Sequence, residues 1–324
     1  MKGKTLLFTN YFIALFIILS LNFALPRLLP GDPLTAIYGA DVHVQMTGEL
    51  KARLEERLAL NESMGEQFVQ YMTGLATGDL GYSFYHNAPV LDVVMGSLPW
   101  TLLLAGSALF LSTLLGIVLG IESGWSRGSG KDVALLSGVM LLNGLPDFFI
   151  GILLLLFFGV LLGLFPLSGA VTPYAGLAGT ALILDVLRHL ALPLAALTIS
   201  GISGAYLLTR NTMVTVLKAP FILTAKAKGL SPRVVRYRHA GRNAMLPVVT
   251  RTGVRVGRLA TGVLFVETVF AYPGLGHLLY NALLTRDYPV LQGIFLVVTV
   301  SVLAVSFITD MLYIKIDPRV AAAG

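Results

Sequence analysis

Cysteine is absent from the 324-residue chain, and charged side chains make up only 12% of it. The first absence removes disulfides and thiolate metal sites. The second removes a water-soluble globule. Soluble domains carry about 25% charged residues, and with 56% hydrophobic residues too little polar surface remains to cover one. Alternation at every second residue is also lacking, so the long apolar runs exclude a transmembrane β-barrel. What remains is an all-α integral membrane protein, because helices satisfy their own backbone in lipid. Enzyme signatures are missing too. Neither G-x-x-x-x-G-K-[ST] nor H-E-x-x-H occurs, so no residue is assigned a catalytic role and ATP hydrolysis is not expected of this chain. The five scattered histidines, with no cysteine to join them, offer no permanent metal site.

The apolar runs, at roughly 20 residues per crossing, predict six transmembrane helices. The first is Leu6 to Leu25. It is too long for the apolar core of a signal peptide and is followed by Pro26-Arg27 rather than a small-residue cleavage site, so it reads as a retained span. The second runs from Trp100 to Ile121, where Gly106, Ser107 and Gly116 would let helices approach closely. The third covers Val133 to Leu162, and Gly144-Leu145-Pro146-Asp147 predicts a kink or break inside it. The fourth is Leu187 to Leu208, with Pro193 inside. The fifth is Ala244 to Phe270, although Arg251, Arg255 and Arg258 fall in its first half. The sixth is Val290 to Tyr313.

Between the first two spans lies a polar insert, residues 30–98. Within it Leu50, Leu54 and Leu58 recur at every fourth position, which predicts a helix over Thr47 to Leu60 with Thr47 as its N-cap. The turn segment Gly78-Asp79-Leu80-Gly81-Tyr82-Ser83 follows. The chain thus divides into residues 1–29 (N-terminus and first helix), the insert 30–98, a five-helix core 99–317 and a tail 318–324.

Sidedness follows from the Lys and Arg distribution. With the N-terminus inside, the inner segments and the basic start of the fifth span hold 17 of the 23 Lys and Arg. The outer side holds Arg27, Lys51, Arg53, Arg57, Arg188 and Arg286. The insert carries nine of the 17 acidic residues. Six spans with both termini cytoplasmic and the insert outside are therefore self-consistent, and the net charge of +6 reads as membrane sidedness rather than nucleic-acid binding.

The inner segment 218–243 has a distinct local pattern. Pro220 suits the first position of a helix, Ala225 and Ala227 keep that helix slim, and Gly229 can adopt the left-handed conformation that ends it. Ser231 then stands where an N-cap would, with Pro232 in the first position of a second helix through Val234, Val235, Tyr237 and His239. Two short helices joined at a glycine would make a compact knob, beyond what an ordinary basic loop requires.

The run Thr224-Ala225-Lys226-Ala227-Lys228-Gly229-Leu230, with His239, Arg242-Asn243-Ala244 and Leu246-Pro247, resembles the coupling motif of ABC importer permeases of the dipeptide/oligopeptide/nickel type. Further stretches resemble that family in the same order: Leu29-Pro30-Gly31-Asp32-Pro33, Gly78-Asp79-Leu80-Gly81-Tyr82-Ser83, Pro89-Val90, Pro146-Asp147-Phe148, Arg188-His189-Leu190-Ala191-Leu192-Pro193, Val266-Glu267-Thr268-Val269-Phe270, Tyr272-Pro273-Gly274-Leu275-Gly276, Arg286-Asp287-Tyr288-Pro289-Val290 and Asp317-Pro318-Arg319. One departure is the run Pro220-Phe221-Ile222-Leu223, where family members carry an Asp-Tyr-Val-Arg-like sequence. The first coupling helix is less charged for it, and no salt bridge to the ATPase is assigned from this helix.

The resemblance implies a multi-pass permease of a bacterial or archaeal cytoplasmic (inner) membrane, forming half of a path for peptides, nickel or metal chelates. Its partners would be a second homologous permease, two ATP-binding subunits, an extracytoplasmic substrate-binding protein docking near the insert, and membrane lipid. No cofactor is implied for this chain; ATP and Mg would sit on the partner subunits. It further implies that Thr224, Ala225, Ala227, Lys228, Gly229, Leu230, Arg233, Arg236 and His239 meet the ATPase. A rigid knob in a groove would then turn ATPase closure into movement of spans four and five by hinge or shear.

Ionisable residues at membrane depth, Asp147, Glu267 and Asp310, are the candidates for the translocation path or its gate. The competing class is a stand-alone secondary transporter, which would show an inverted repeat and midplane ionisable pairs. Neither is visible. A membrane enzyme would need a clustered acid–base or metal constellation, and none clusters.

Overall fold

A computed structural model describes residues 2–27, 63–83, 85–250 and 263–316. The expected helix over Thr47 to Leu60, the basic stretch Arg251, Arg255 and Arg258, and the tail 318–324 lie outside the described residues.

The first helix, α1 (Lys2–Arg27), contains the whole first apolar run. Helix α2 (Met64–Thr77) starts at Ser63, whose hydroxyl accepts the Glu66 N–H while the Glu66 carboxylate accepts the Ser63 N–H at 2.9 Å. This reciprocal box satisfies two otherwise orphaned donors. A short antiparallel pair, β1 (Tyr82–Ser83) with β2 (Ala88–Pro89), leads into α3 (Val90–Trp125). Helix α3 begins at Val90, so the last residues assigned to the insert are already helical.

The expected break in the third run is present. Helix α4 (Gly130–Asn143) ends before Pro146, and α5 (Asp147–Leu154) departs from it at 99°. Proline at 146 disfavours helical geometry in the residue before it, and its own extended conformation makes it the N-cap of α5. Helix α5 continues through a π-helical stretch, Leu155–Leu161.

Helix α6 (Gly179–Val216) holds the fourth run. After it come α7 (Pro220–Ala227), α8 (Pro232–Val234), a π-helical stretch Val235–Gly241, and α9 (Arg242–Thr250). A helical segment at 263–269, α10, precedes α11 (Leu275–Thr285) and α12 (Tyr288–Ile316). Among the described residues, α3, α6 and the Tyr288–Phe307 part of α12 are long and apolar enough to cross a membrane, and α4 with the α5 run passes only as a bent pair, a broken span or a re-entrant loop.

The chain divides into two compact units, one of Met1–Pro99 with Gly274–Gly324, the other of Trp100–Pro273. In the first, Val90 and Val94 of α3 pack with Leu275 and Leu278 of α11 and Val290 and Ile294 of α12. Helix α1 joins α12 through a reciprocal pair: Asn22 Nδ2 donates to the Gln292 carbonyl at 3.0 Å, and Gln292 Nε2 to the Asn22 carbonyl at 2.9 Å. In the second unit, Leu104, Ile150, Ala196, Leu197, Val266 and Phe270 form the core.

The close approach of α3 and α6 in the second unit is built on spacing. Gly116, Gly120 and Gly124 form one column along α3. A Cβ on each would stand 2.6–2.7 Å from the Cβ of Ala205, Thr209 and Met213 of α6. In lipid, where apolar burial gives helices little reason to associate, this backbone proximity is what gains packing energy. Gly106, expected to serve the same purpose, has no atom within 4 Å of its Cβ position. The close face of α3 is its second half.

Candidate functional site

Helix α7 begins with Pro220 in its first turn and Ala219 as N-cap. Proline there forfeits no hydrogen bond and supplies a helical φ. The chain leaves α7 through Gly229, whose φ of +72° lies in the left-handed region, where a side chain costs energy and glycine does not. Ser231 occupies the N-cap position of α8, but its side chain makes no capping bond. Its carbonyl accepts the first helical bond, from Val235 N–H at 3.0 Å.

The expected second short helix proves to be the start of a longer run. From Pro232 the chain remains helical to Thr250, passing through the π-helical stretch at Val235–Gly241. The knob is therefore continuous with the start of the expected fifth span, and α7 is its one short, separately punctuated piece.

One face of this segment is sealed against the rest of its unit. Ile222 and Ala225 of α7 and Val235, Ala240 and Ala244 beyond it are buried with Ile121 of α3 and Met213 of α6. Thr224, Ala227, Lys228, Gly229, Leu230 and Arg233 are exposed, and His239 is half-buried. Two of the residues expected to meet a partner thus face inward within the chain: Ala225 is 5% exposed, and Arg236 is turned onto α3. Alanine at 225 fits because α7 lies close against its neighbours.

The inward turn of Arg236 shows a polar hub that sequence reasoning missed. Glu122, in the last turn of α3, accepts from Arg236 Nη1 and from the Tyr237 hydroxyl, each at 2.6 Å on Oε1. Its other oxygen accepts from Lys131 Nζ of α4. Trp125, one turn further along α3, carries the Arg236 guanidinium 4.9 Å from its ring centre and the Lys226 ammonium at 6.0 Å, distances at which a cation is attracted to the ring face. The bond to Glu122 holds the Tyr237 phenol above its ordinary pKa, and burial acts in the same direction. The sequence signal for this hub was a carboxylate at the end of a long apolar run, the position that a helix dipole disfavours unless donors converge on it.

A second cluster joins α3, α4 and α6. Arg210 donates through Nε to Asp132 Oδ1 and through Nη2 to Oδ2, both at 2.8 Å, and Gly128 N–H reaches Oδ2 at 2.9 Å. Ser123 bridges, donating to Asp132 and lying 2.7 Å from the Tyr206 hydroxyl. A forked guanidinium–carboxylate pair of this kind fixes orientation as well as distance.

The three path candidates lie on three different helices. Asp147 is half-buried in the first turn of α5, where a carboxylate suits the positive end of the helix dipole. Glu267 is wholly buried on α10 and accepts from the Thr101 hydroxyl at 2.7 Å, so in this state it faces protein rather than an open path. Asp310 lies on α12, outside the described side chains. Among the described residues no group of three or more His, Asp or Glu converges as a metal site would.

These features define a helical membrane component with an exposed, glycine-punctuated knob. Residues 112–322 match the model of the binding-protein-dependent transport system inner membrane component, and residues 7–105 match the model of its N-terminal region. The chain belongs to that family of transport permeases. Among its relatives, the di/tripeptide transport system permease protein DppB of Pseudomonas aeruginosa (strain UCBPP-PA14) is 35% identical, with 93% of each chain covered. The dipeptide transport system permease protein DppB of Escherichia coli (strain K12) is also 35% identical over 93% of each chain. A putative peptide permease protein of Brucella ovis is 36% identical, covering 93% of this chain and 92% of its own.

Proposed function

We propose that this chain is one of two permease subunits of an ATP-driven importer for dipeptides or other short peptides. The observation that carries the substrate class is likeness over 93% of both chains to permeases named for dipeptides and di/tripeptides. The chain crosses the membrane six times with both termini cytoplasmic. Residues 30–98 form an outer insert that receives the substrate-binding protein, residues 99–317 form the core, and residues 318–324 are a cytoplasmic tail. The exposed knob carrying Thr224, Ala227, Lys228, Gly229, Leu230 and Arg233 docks an ATP-binding subunit, with His239 at its edge. Ala225 and Arg236 support it from within. ATP and Mg belong to that partner. Asp147, Glu267 and Asp310 contribute to the path or its gate, Glu267 by holding α10 to α3 at Thr101.

The test is reconstitution of the complex with its ATP-binding subunits and binding protein in proteoliposomes. Uptake of radiolabelled dialanine should depend on ATP and cease in Gly229→Asp, which adds both an acid and a side chain at the left-handed position. Uptake of nickel without dialanine would overturn the substrate class. Full uptake by this chain without ATP-binding subunits, unaffected by Gly229→Asp, would overturn the importer reading in favour of a stand-alone transporter.

A further inference from the structure

We infer that Glu122 is the positioning residue through which the coupling segment moves the ends of α3 and α4. The inference rests on the reading of α7 as the ATPase-docking element and extends it to the route by which docking reaches the membrane helices.

The apolar contacts of Ile222 and Ala225 hold the segment against α3 without fixing its orientation, since apolar burial is non-directional. Direction is supplied at Glu122. Its two oxygens take three donors from two separate elements: Arg236 and Tyr237 of the π-helical stretch, and Lys131 of α4. Charge-assisted bonds of this kind are short and oriented. Trp125, on the same face of α3 one turn away, holds the other side of Arg236 and meets Lys226 of α7. Helix α7 and the π-helical stretch are thus both fastened to one helix end, and Lys131 passes the connection to α4.

The location argues for purpose beyond stability. A carboxylate at a helix C-terminus opposes the helix dipole, and the apolar seal around Ile222 does not require it. Beside it, the Asp132–Arg210 pair already ties α4 to α6. Glu122 alone among these acceptors reaches the coupling segment, so displacement of α7 is delivered to α3 and α4 together.

The experiment uses the reconstituted complex and reads two quantities. One is dialanine taken up per ATP hydrolysed. The other is the distance between spin labels at Arg127→Cys and Arg242→Cys, placed without background from this cysteine-free chain in complexes whose other subunits have been stripped of cysteine. In the parent, the label distance should be the same in the nucleotide-free and vanadate-trapped states. In Glu122→Gln, the ATP-binding subunits should still co-purify, the trapped-state distance should shift, and uptake per ATP should fall roughly tenfold, the scale of one charge-assisted hydrogen bond. Tyr237→Phe deletes a single donor, and its roughly threefold fall decides the matter if Glu122→Gln does not assemble. Parental uptake per ATP in these variants, or a label distance that changes with nucleotide in the parent, would overturn the inference. Loss of the ATP-binding subunits from the parent, or indifference to Gly229→Asp, would overturn the docking reading instead.

Discussion

The hydroxyl of Ser83 donates to the carboxylate of Asp287, 204 positions further along the chain. The same carboxylate caps α12, accepting the Val290 N–H at 3.3 Å, and Ser83 in turn accepts the His86 N–H at 3.0 Å. A turn before α3 and the start of α12 are therefore closed by one side-chain pair. Asp287→Ala removes both the cap and the Ser83 acceptor and should cost about 1–2 kcal/mol, read as a lower Tm of the purified protein in detergent. The double variant with Ser83→Ala should cost less than the sum of the single ones, because the two side chains share one bond.

Burial raises the Asp287 carboxyl above its ordinary pKa, with the bonds from Ser83 and Val290 acting the other way. A folded-state pKa above the unfolded one means the protonated group favours the fold, and that contribution is lost as pH rises through the raised pKa. Asp287→Asn keeps acceptor and shape but does not titrate. Its Tm relative to the parent should therefore improve from acid to neutral pH, and a difference independent of pH would contradict this assignment.

The glycine column of α3 makes a contrast within one helix. Gly120→Ala places a Cβ 2.7 Å from the Thr209 Cβ and 2.8 Å from the Tyr206 carbonyl, forcing α3 and α6 apart at about 1–3 kcal/mol. Gly106→Ala meets nothing within 4 Å and should be neutral or stabilising by up to about 1 kcal/mol through helix propensity. Thermal unfolding of the two variants in one detergent checks both.

Arg210→Met leaves the Asp132 carboxylate, 4% exposed, without its forked partner. Removing one member of such a pair costs about 3–5 kcal/mol, and a low yield of folded protein with sharply reduced Tm is expected. Asp132→Asn with Arg210→Met should recover much of the loss, since no buried charge then stands alone.

Gly229 separates conformation from space. No atom lies within 4 Å of its Cβ position, yet its φ is +72°. Gly229→Ala should reduce uptake through backbone strain of about 1–2 kcal/mol, while Gly229→Asn, tolerated in this region, should retain more. Uptake assays on the two variants at matched expression would show the greater loss in Gly229→Asn only if the position were governed by crowding.

Local punctuation was legible in the sequence because its causes are local. Pro220 starts α7, Gly229 ends it, and Pro146 breaks the third apolar run for reasons held within a few residues. Ser231 stands at its expected N-cap position but forms no side-chain cap. The box at Ser63 and Glu66 is equally local, a serine with a glutamate three residues on. What the sequence hid were partners across long separations: Glu122 with Arg236, Ser83 with Asp287, Asp132 with Arg210. Each charge reads as sidedness until the fold supplies its partner. The column at Gly116, Gly120 and Gly124 was visible as a spacing, but only α6 shows why Gly106 does not belong to it. Glu267 reads as a membrane-depth carboxylate, and its Thr101 partner turns it from an open-path candidate into a buried link.

The glycine column also has a mechanical meaning. Two helices in contact along three successive turns behave as a two-ply beam, far stiffer against bending than either alone, with Thr209 and Met213 seated against the column like teeth that resist sliding. From Val216 to Pro193, α6 runs about 36 Å at 1.5 Å per residue. A tilt of about 5° imposed at its Val216 end therefore displaces the backbone near Pro193 by about 3 Å, with the glycine column kept in register because α3 and α6 tilt together.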